Sequence, residues 1–371
     1  MHIDENGKWV LFPVARKGLN PAEMTVAELL KEQGYATACV GKWHLGDQPE
    51  FLPTRQGFDS YFGIPYSNDM NRDHAPLPLL RDEVVIEAPV DQPPVTRRYT
   101  DEAVAFIRCN AETPFFLYLP HTSVHLPLFP GKEFAGKSSN GKYGDWIEEV
   151  DASTGEILET LKTLGIGDRT LVIFTSDNGS NGRHGGSNAP LKGRKGDTDE
   201  GSMRVPCVMR WPDKIPAGTT CSELASTLDL LPTFAAISGG KVPGERVIDG
   251  HDISALMFGK NGAKSPHDAF YYYHTTQLQA VRSGKWKLVL PQSEKLRGWS
   301  GKAADTPLEL FDLHADIGEK NDVSAAHPEI VDRLKGFAAK ARADLGDGAK
   351  SGTGQRPAGW AEAAKPLLKP N

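Results

Sequence analysis

Two hydrophobic patterns alternate along the first 260 or so residues: short unbroken apolar runs, and longer stripes at helical spacing. Thr25-Val26-Ala27-Glu28 is a capping-box sequence, followed by Leu29 and Leu30 and a stop at Gly34, which predicts a short helix. Residues 35–40 are apolar and β-compatible, then break at Gly41 into a polar loop. Residues 101–109 predict a helix with Asp101 and Glu102 at its positive end and Ala103, Val104, Phe106 and Ile107 inside. Phe115-Phe116-Leu117-Tyr118-Leu119 lacks alternation, as a strand covered on both faces would. Between residues 145 and 164, Ile147, Val150, Ile157, Leu158, Leu161 and Leu164 fall on one helical stripe, ended by Gly165. Leu171-Val172-Ile173-Phe174-Thr175 is a second continuous strand. Strands alternating with helices predict an α/β fold: a mostly parallel central sheet flanked by helices.

The pattern changes after residue 262. Runs at 270–273, 280–282, 286–290 and 308–311 read as short strands separated by turns. They predict a smaller C-terminal antiparallel-sheet subdomain over 263–345, packed by a helix over 328–345 with Ile330, Leu334, Phe337 and Ala341 as its buried stripe. Residues 1–262 form the α/β core in this reading, and 346–371, rich in Gly, Ala, Lys and Pro, read as a loose tail.

Composition narrows the function classes. The net charge of −6 offers nucleic acid and anionic membranes no global attraction, so an anionic substrate must be held by local cations. No apolar run approaches a membrane span, and the first 18 residues lack the apolar region of a signal peptide. Cys39, Cys109, Cys207 and Cys221 have no metal or redox spacing; the first three lie in apolar stretches and read as buried thiols.

Ligands of open α/β sheets bind at the carboxyl ends of strands, and three predicted strands here run straight into polar clusters. The first is Gly41-Lys42-Trp43-His44-Leu45-Gly46, where an anchored Trp43 on an extended segment would aim Lys42 and His44 at one spot. The second is Pro120-His121-Thr122-Ser123-Val124-His125; either histidine could protonate a leaving group, and spacing does not separate them. The third is Ser176-Asp177-Asn178-Gly179. Asn-Gly is a favoured hairpin turn, yet residues 180–195 contain no apolar run to pair back. The other reading is a carboxylate and an amide carbonyl offered together, oxygen ligands suited to Ca²⁺ or Mg²⁺. The cationic loop that follows, with Arg183, His184, Lys192, Arg194 and Lys195, could cradle an anion.

On these residues the chain resembles the sulfatases, specifically the formylglycine-dependent arylsulfatase type of the alkaline-phosphatase-like superfamily. The resemblance runs from about residue 10 to 340 through GYATACVGKWHLG (34–46), GFDSYFGIPYSND (57–69), HTSVHLP (121–127), LVIFTSDNG (171–179), LKGRKGDTDEGSMRVP (191–206), STLDLLPT (226–233) and LELFDL (308–313). It implies that Lys42 and Lys195 contact sulfate, that His44 hydrogen-bonds a formylglycine hydrate, and that Ser67 lines the site. It further implies that His125 protonates the departing alcohol and that Asp177 and Asn178 are two calcium ligands; His184 is a specificity candidate, together with loops 47–58, 131–143 and 274–278. The implied reaction is hydrolysis of a small-molecule or carbohydrate sulfate ester, and the family implies a periplasmic or secreted location. Two alternatives share the pocket: a phosphate or phosphonate ester hydrolase, and a non-catalytic sulfoglycan-binding protein.

The family pattern also includes an early strand ending in paired aspartates and a Cys- or Ser-x-Pro-Ser-Arg segment whose first residue becomes formylglycine. Neither occurs in this sequence. The expectation is therefore an N-terminally truncated chain that is inactive by itself. Its sheet should show unpaired backbone groups where a strand is missing.

Overall fold

A computed structural model describes residues 9–298, 301–303 and 305–368. The Thr25 capping box forms as the sequence predicts: Thr25 Oγ1 accepts from Glu28 N at 3.0 Å and Glu28 Oε2 accepts from Thr25 N at 2.7 Å. It starts the helix Val26–Glu32, which buries Ala27, Leu29 and Leu30. The chain then enters Ala36–Val40, the strand next to one edge of a five-stranded sheet. This strand pairs in parallel with Ser60–Gly63 on one side and Phe115–Tyr118 on the other. Leu79–Arg81 and Val84–Glu87 extend the sheet antiparallel beyond Ser60–Gly63. The sheet is mixed, with its parallel portion at the polar strand ends that carry the candidate chemistry.

The helix expected at 101–109 begins a turn and a half earlier, spanning Val95–Cys109, because Val95, Thr96, Tyr99 and Thr100 also face the core. The next helix, Gly141–Thr163, buries Trp146, Glu149, Ser153 and Leu161 against its neighbours. Its predicted apolar stripe is split: Leu161 is buried with Ile157 and Leu164 packed against it, whereas Ile147, Val150 and Leu158 line a cavity and Ile147 is 45% exposed. Cys39 is buried as expected, whereas Cys109 and Cys207 are exposed, at a helix end and on a sheet whose outer residues meet solvent.

Val172–Thr175 does not join the five-stranded sheet. It pairs antiparallel with Cys207–Arg210 alone, and among the described residues its other edge has no ladder partner. The outer edge of Phe115–Tyr118 is likewise without one. Both strands border the same cavity of about 3430 Å³, several times the ~300–1,000 Å³ of an ordinary small-molecule pocket. The run at 115–119, expected to be covered on both faces, is half-buried with Tyr118 44% exposed, and on the second strand Phe174 is 43% exposed.

The C-terminal sheet runs Glu309–Asp312, Trp286–Val289, Gln277–Ser283, Phe270–His274, antiparallel throughout. The helix Pro328–Leu345 lays Val331, Leu334, Ala338 and Ala341 on Leu278, Val281, Leu288 and Leu310, with Ile330 and Phe337 at the margin. Residues 346–368, read from composition as loose, run back over the body instead. Gly359–Trp360 pairs with Lys17–Gly18, and Arg356 forms an ion pair with Glu23 at 2.7 Å. Among the described residues no helix is long and apolar enough to cross a membrane.

Candidate active site

Lys42 and His44 leave the strand Ala36–Val40 through a loop that glycine makes possible. Gly41 has φ 140°, and a Cβ there would lie 2.1 Å from Pro120 O, so the loop packs directly on the end of the neighbouring strand. Trp43 anchors it from the other face, 7% exposed with its indole N–H donating to Phe51 O at 2.8 Å. The segment is not extended as the alternation argument assumed, because His44 takes φ 59°. Lys42 and His44 nevertheless lie close enough to interact electrostatically. His44 Nε2 bonds Leu11 O at 2.9 Å; burial, reinforced by Lys42, pushes its pKa down to about 4.

Asp177 and Asn178 follow Val172–Thr175 with no hairpin. Gly179 turns the chain against the loop that carries Lys195: a Cβ at Gly179 would lie 1.8 Å from Gly201 O, and Gly179 N donates to Ser202 O at 2.9 Å. Lys195 N donates to Ser180 O at 2.9 Å, which brings the lysine back beside Asp177. That loop is gripped from the C-terminal sheet. Thr198 Oγ1 donates to Gln279 Oε1 at 2.7 Å, and the fully buried Lys287 donates to Thr198 O at 2.9 Å.

Of the two histidines after Phe115–Tyr118, it is His125 that lies within electrostatic reach of Lys42, His44 and Lys195. His121 turns inward to Ser153 Oγ at 3.4 Å, and burial alone pushes its pKa down to about 4. The His125 pKa is depressed by burial first and then by Lys195 and Lys42. Burial likewise depresses both lysines; Lys195 adds to the effect on Lys42, while Asp177 and Asp69 oppose it on each.

Lys42, His44, His125, Lys195 and Asp177 thus converge from three strand ends and one loop. Ser67 joins them from beneath, 1% exposed with Oγ 3.2 Å from His125 Nδ1. His184 does not: it is exposed at φ 57° on the 180–190 loop and is not among the residues lining the cavity. Two participants escape sequence reasoning. Asp69 places Oδ1 4.0 Å from His125 Nδ1 and is the carboxylate that faces both lysines and both histidines. Asn68, 1% exposed, hydrogen-bonds the His125 ring. Both end the GIPYSND run, so the motif flagged the place but not their roles.

The donor set for a metal is incomplete. Ca²⁺ takes roughly six to eight oxygens. Asp177 and Asn178 are two residues, and no cluster of three or more His, Cys, Asp or Glu that could hold an ion exists among the described residues. The chain's own groups therefore do not fit the metal by themselves.

Comparison with known proteins gives the chain's family. The Sulfatase family profile matches residues 4–240, and the profile for the C-terminal region of aryl-sulfatase matches residues 265–367. Human arylsulfatase A is 36% identical over 88% of this chain and 72% of its own length. N-acetylgalactosamine-6-sulfatase from dog is 39% identical over 86% of this chain and 67% of its own, and mouse steryl-sulfatase 33% identical over 90% and 70%. Among solved structures, one from work on metabolism of multiple glycosaminoglycans by Bacteroides thetaiotaomicron superposes with TM-score 0.80 at 26% identity, covering 91% of this chain and 86% of that one. A second, crystallised in complex with a neocarrahexaose, gives TM-score 0.76 at 30% identity over 89% and 76%. The chemistry of the strand ends, the mixed α/β sheet and the antiparallel C-terminal sheet all meet in one conclusion: this chain belongs to the sulfatase family of sulfuric ester hydrolases.

Proposed function

We propose that this chain supplies the anion-binding and proton-donating part of a sulfate ester hydrolase site. Lys42 and Lys195 hold the sulfate oxygens, offsetting the ester's charge. His125, protonated once an anion is bound, delivers its proton to the departing alcohol oxygen as the S–O bond breaks. Asp177 and Asn178 would supply two of the roughly six to eight oxygens that a Ca²⁺ needs. The attacking group in this reading would be a formylglycine. This chain alone binds sulfate esters and does not turn them over.

The observation that carries the reading is the convergence of Lys42 and His125 from two strand ends with Lys195 from a loop. Calorimetry with inorganic sulfate and 4-nitrophenyl sulfate tests it. Binding should be measurable, and Lys42→Ala and Lys195→Ala should each weaken it about tenfold or more, as expected for losing a hydrogen bond to a charged group. Absence of sulfate binding, or binding indifferent to both lysines, would falsify the assignment. Turnover by this chain, unaltered in Lys42→Ala, would overturn both the site and the expected inactivity. Faster cleavage of an aryl phosphate than of the sulfate would favour the phosphate hydrolase reading.

A further inference from the structure

We propose that Asn68 is a positioning residue for His125, holding its ring in the tautomer and orientation in which only Nε2 exchanges protons with a ligand. The inference rests on the proposed role of His125 and adds the residue that makes that role workable.

The side chain of Asn68 reaches the His125 segment through three hydrogen bonds. Its Nδ2 donates to His125 O at 3.3 Å and to Pro127 O at 3.1 Å. Those two carbonyls fix which amide atom is which, because a flipped amide would set Oδ1 against two acceptors. Oδ1 is thereby the atom facing the ring, 3.1 Å from Nδ1. Leu126 O also lies on Nδ1, at 2.7 Å. With two pure acceptors there, Nδ1 carries a hydrogen in both the neutral and the charged ring. Ser67 Oγ at 3.2 Å completes the set and can take either role. Nε2 is left as the nitrogen that gains and loses a proton, on a ring that lines the cavity.

Asn68 is itself rigid. It is 1% exposed, and Gln92 Nε2 donates to its backbone oxygen at 3.1 Å. One side chain thus clamps both the backbone on which the histidine sits and the ring itself, as a carboxylate or carbonyl partner does for other functional histidines. The charged groups facing the ring are Lys42 and Lys195, which disfavour its protonation, and Asp69, which favours it; His44 lies beside them. Asn68 adds no charge, so it selects the site of protonation without spoiling the anion pocket.

Long-range ¹⁵N–¹H NMR of the ring-labelled chain tests this, with His125 assigned by loss of its signals in His125→Gln. In the wild type, neutral His125 should be protonated on Nδ1 and unprotonated on Nε2. Asn68→Leu should shift the neutral ring toward the Nε2–H form and weaken sulfate binding about tenfold, as for loss of a hydrogen bond at a charged group. Asn68→Asp keeps an acceptor at Nδ1 and adds a negative charge, so it should retain the Nδ1–H tautomer and raise the His125 pKa. This variant keeps the proposal testable if the leucine protein does not fold. The proposal is overturned if wild-type His125 carries its proton on Nε2, or if Asn68→Leu lowers stability while leaving the His125 tautomer and titration unchanged. It is also overturned if Asn68→Asp leaves the titration where it was. A failure of sulfate binding in the wild type would remove the proposed activity, while these ring measurements would still judge Asn68.

Discussion

Replacing Lys287 by methionine should destabilise the protein severely, although the residue touches neither cavity nor substrate. Its side chain is fully buried, with Nζ 2.8 Å from Glu319 Oε1, 3.3 Å from Glu200 Oε1 and 2.9 Å from Thr198 O. Methionine removes the cation and leaves two buried carboxylates. Glu200 keeps Tyr272 at 2.7 Å and Arg282 at 3.3 Å, so its loss is partial. Glu319 retains the backbone N–H of Glu200, at 2.8 Å, on its other oxygen. Stripping one partner from a buried pair costs about 3–5 kcal/mol. With roughly 2.1 cal/mol/K of unfolding entropy per residue, that lowers Tm by on the order of 5 °C for a chain this long.

The pH dependence supplies a sharper check on Lys287→Met. Burial already raises the Glu319 pKa above its ordinary value, and Lys287 opposes that rise. Removing the lysine raises it further. A carboxyl whose folded pKa exceeds its unfolded value contributes stability that is complete below the unfolded pKa and lost as pH climbs through the folded one. The deficit of Lys287→Met should therefore be largest near neutrality and shrink as pH falls toward 5. Urea unfolding at several pH values measures it. A deficit below about 1 kcal/mol at pH 7, the range of a surface pair, or one that does not shrink in acid, would refute the reasoning. Because Thr198 and Glu200 close the loop that carries Lys195, the same variant should also weaken sulfate binding.

Three further outcomes follow from particular contacts. Sulfate affinity should rise as pH falls below 7, because a bound anion favours the imidazolium of His125, whose pKa burial and two lysines depress in the free protein. Calorimetry in buffers of different ionisation enthalpy would register the accompanying proton uptake, and pH-independent affinity between 5 and 8 would contradict it. Thr25→Ala removes the Thr25 side-chain half of the capping box and should cost about 1 kcal/mol by denaturant unfolding; an unchanged midpoint would mean the helix does not depend on it. Leu334→Ala, at a fully buried position between the C-terminal helix and sheet, should cost about 2–5 kcal/mol. A loss well under 1 kcal/mol would show that this seam is loosely packed.

Much of the site was legible because short motifs carry backbone demands as well as side chains. The glycines of GKWHLG and SDNG mark places where chain passes against chain, and the structure puts Pro120 O and Gly201 O there. Helix ends were less legible. The Val95–Cys109 helix starts on Val95, Thr96, Tyr99 and Thr100, whose burial comes from packing and not from a local start signal. The Gly141–Thr163 helix shows the opposite case: its apolar stripe was read correctly as a stripe, yet the face it makes borders a cavity. Periodicity reports which side of a helix is apolar, and says nothing of what lies opposite.

The sequence by itself determined the residue types at the strand ends, the alternation that makes an α/β core, and the absence of a nucleophile motif among these residues. These follow from local order: spacing, turn chemistry and the identities of neighbours. Only the tertiary structure decided that His125 rather than His121 faces the lysines, that His184 stands apart, and that Asn68 and Asp69 belong with the histidine. It also decided where two strand edges lie open. Such facts depend on which distant segments pack together, and packing is settled by the whole core at once rather than by any one stretch of it.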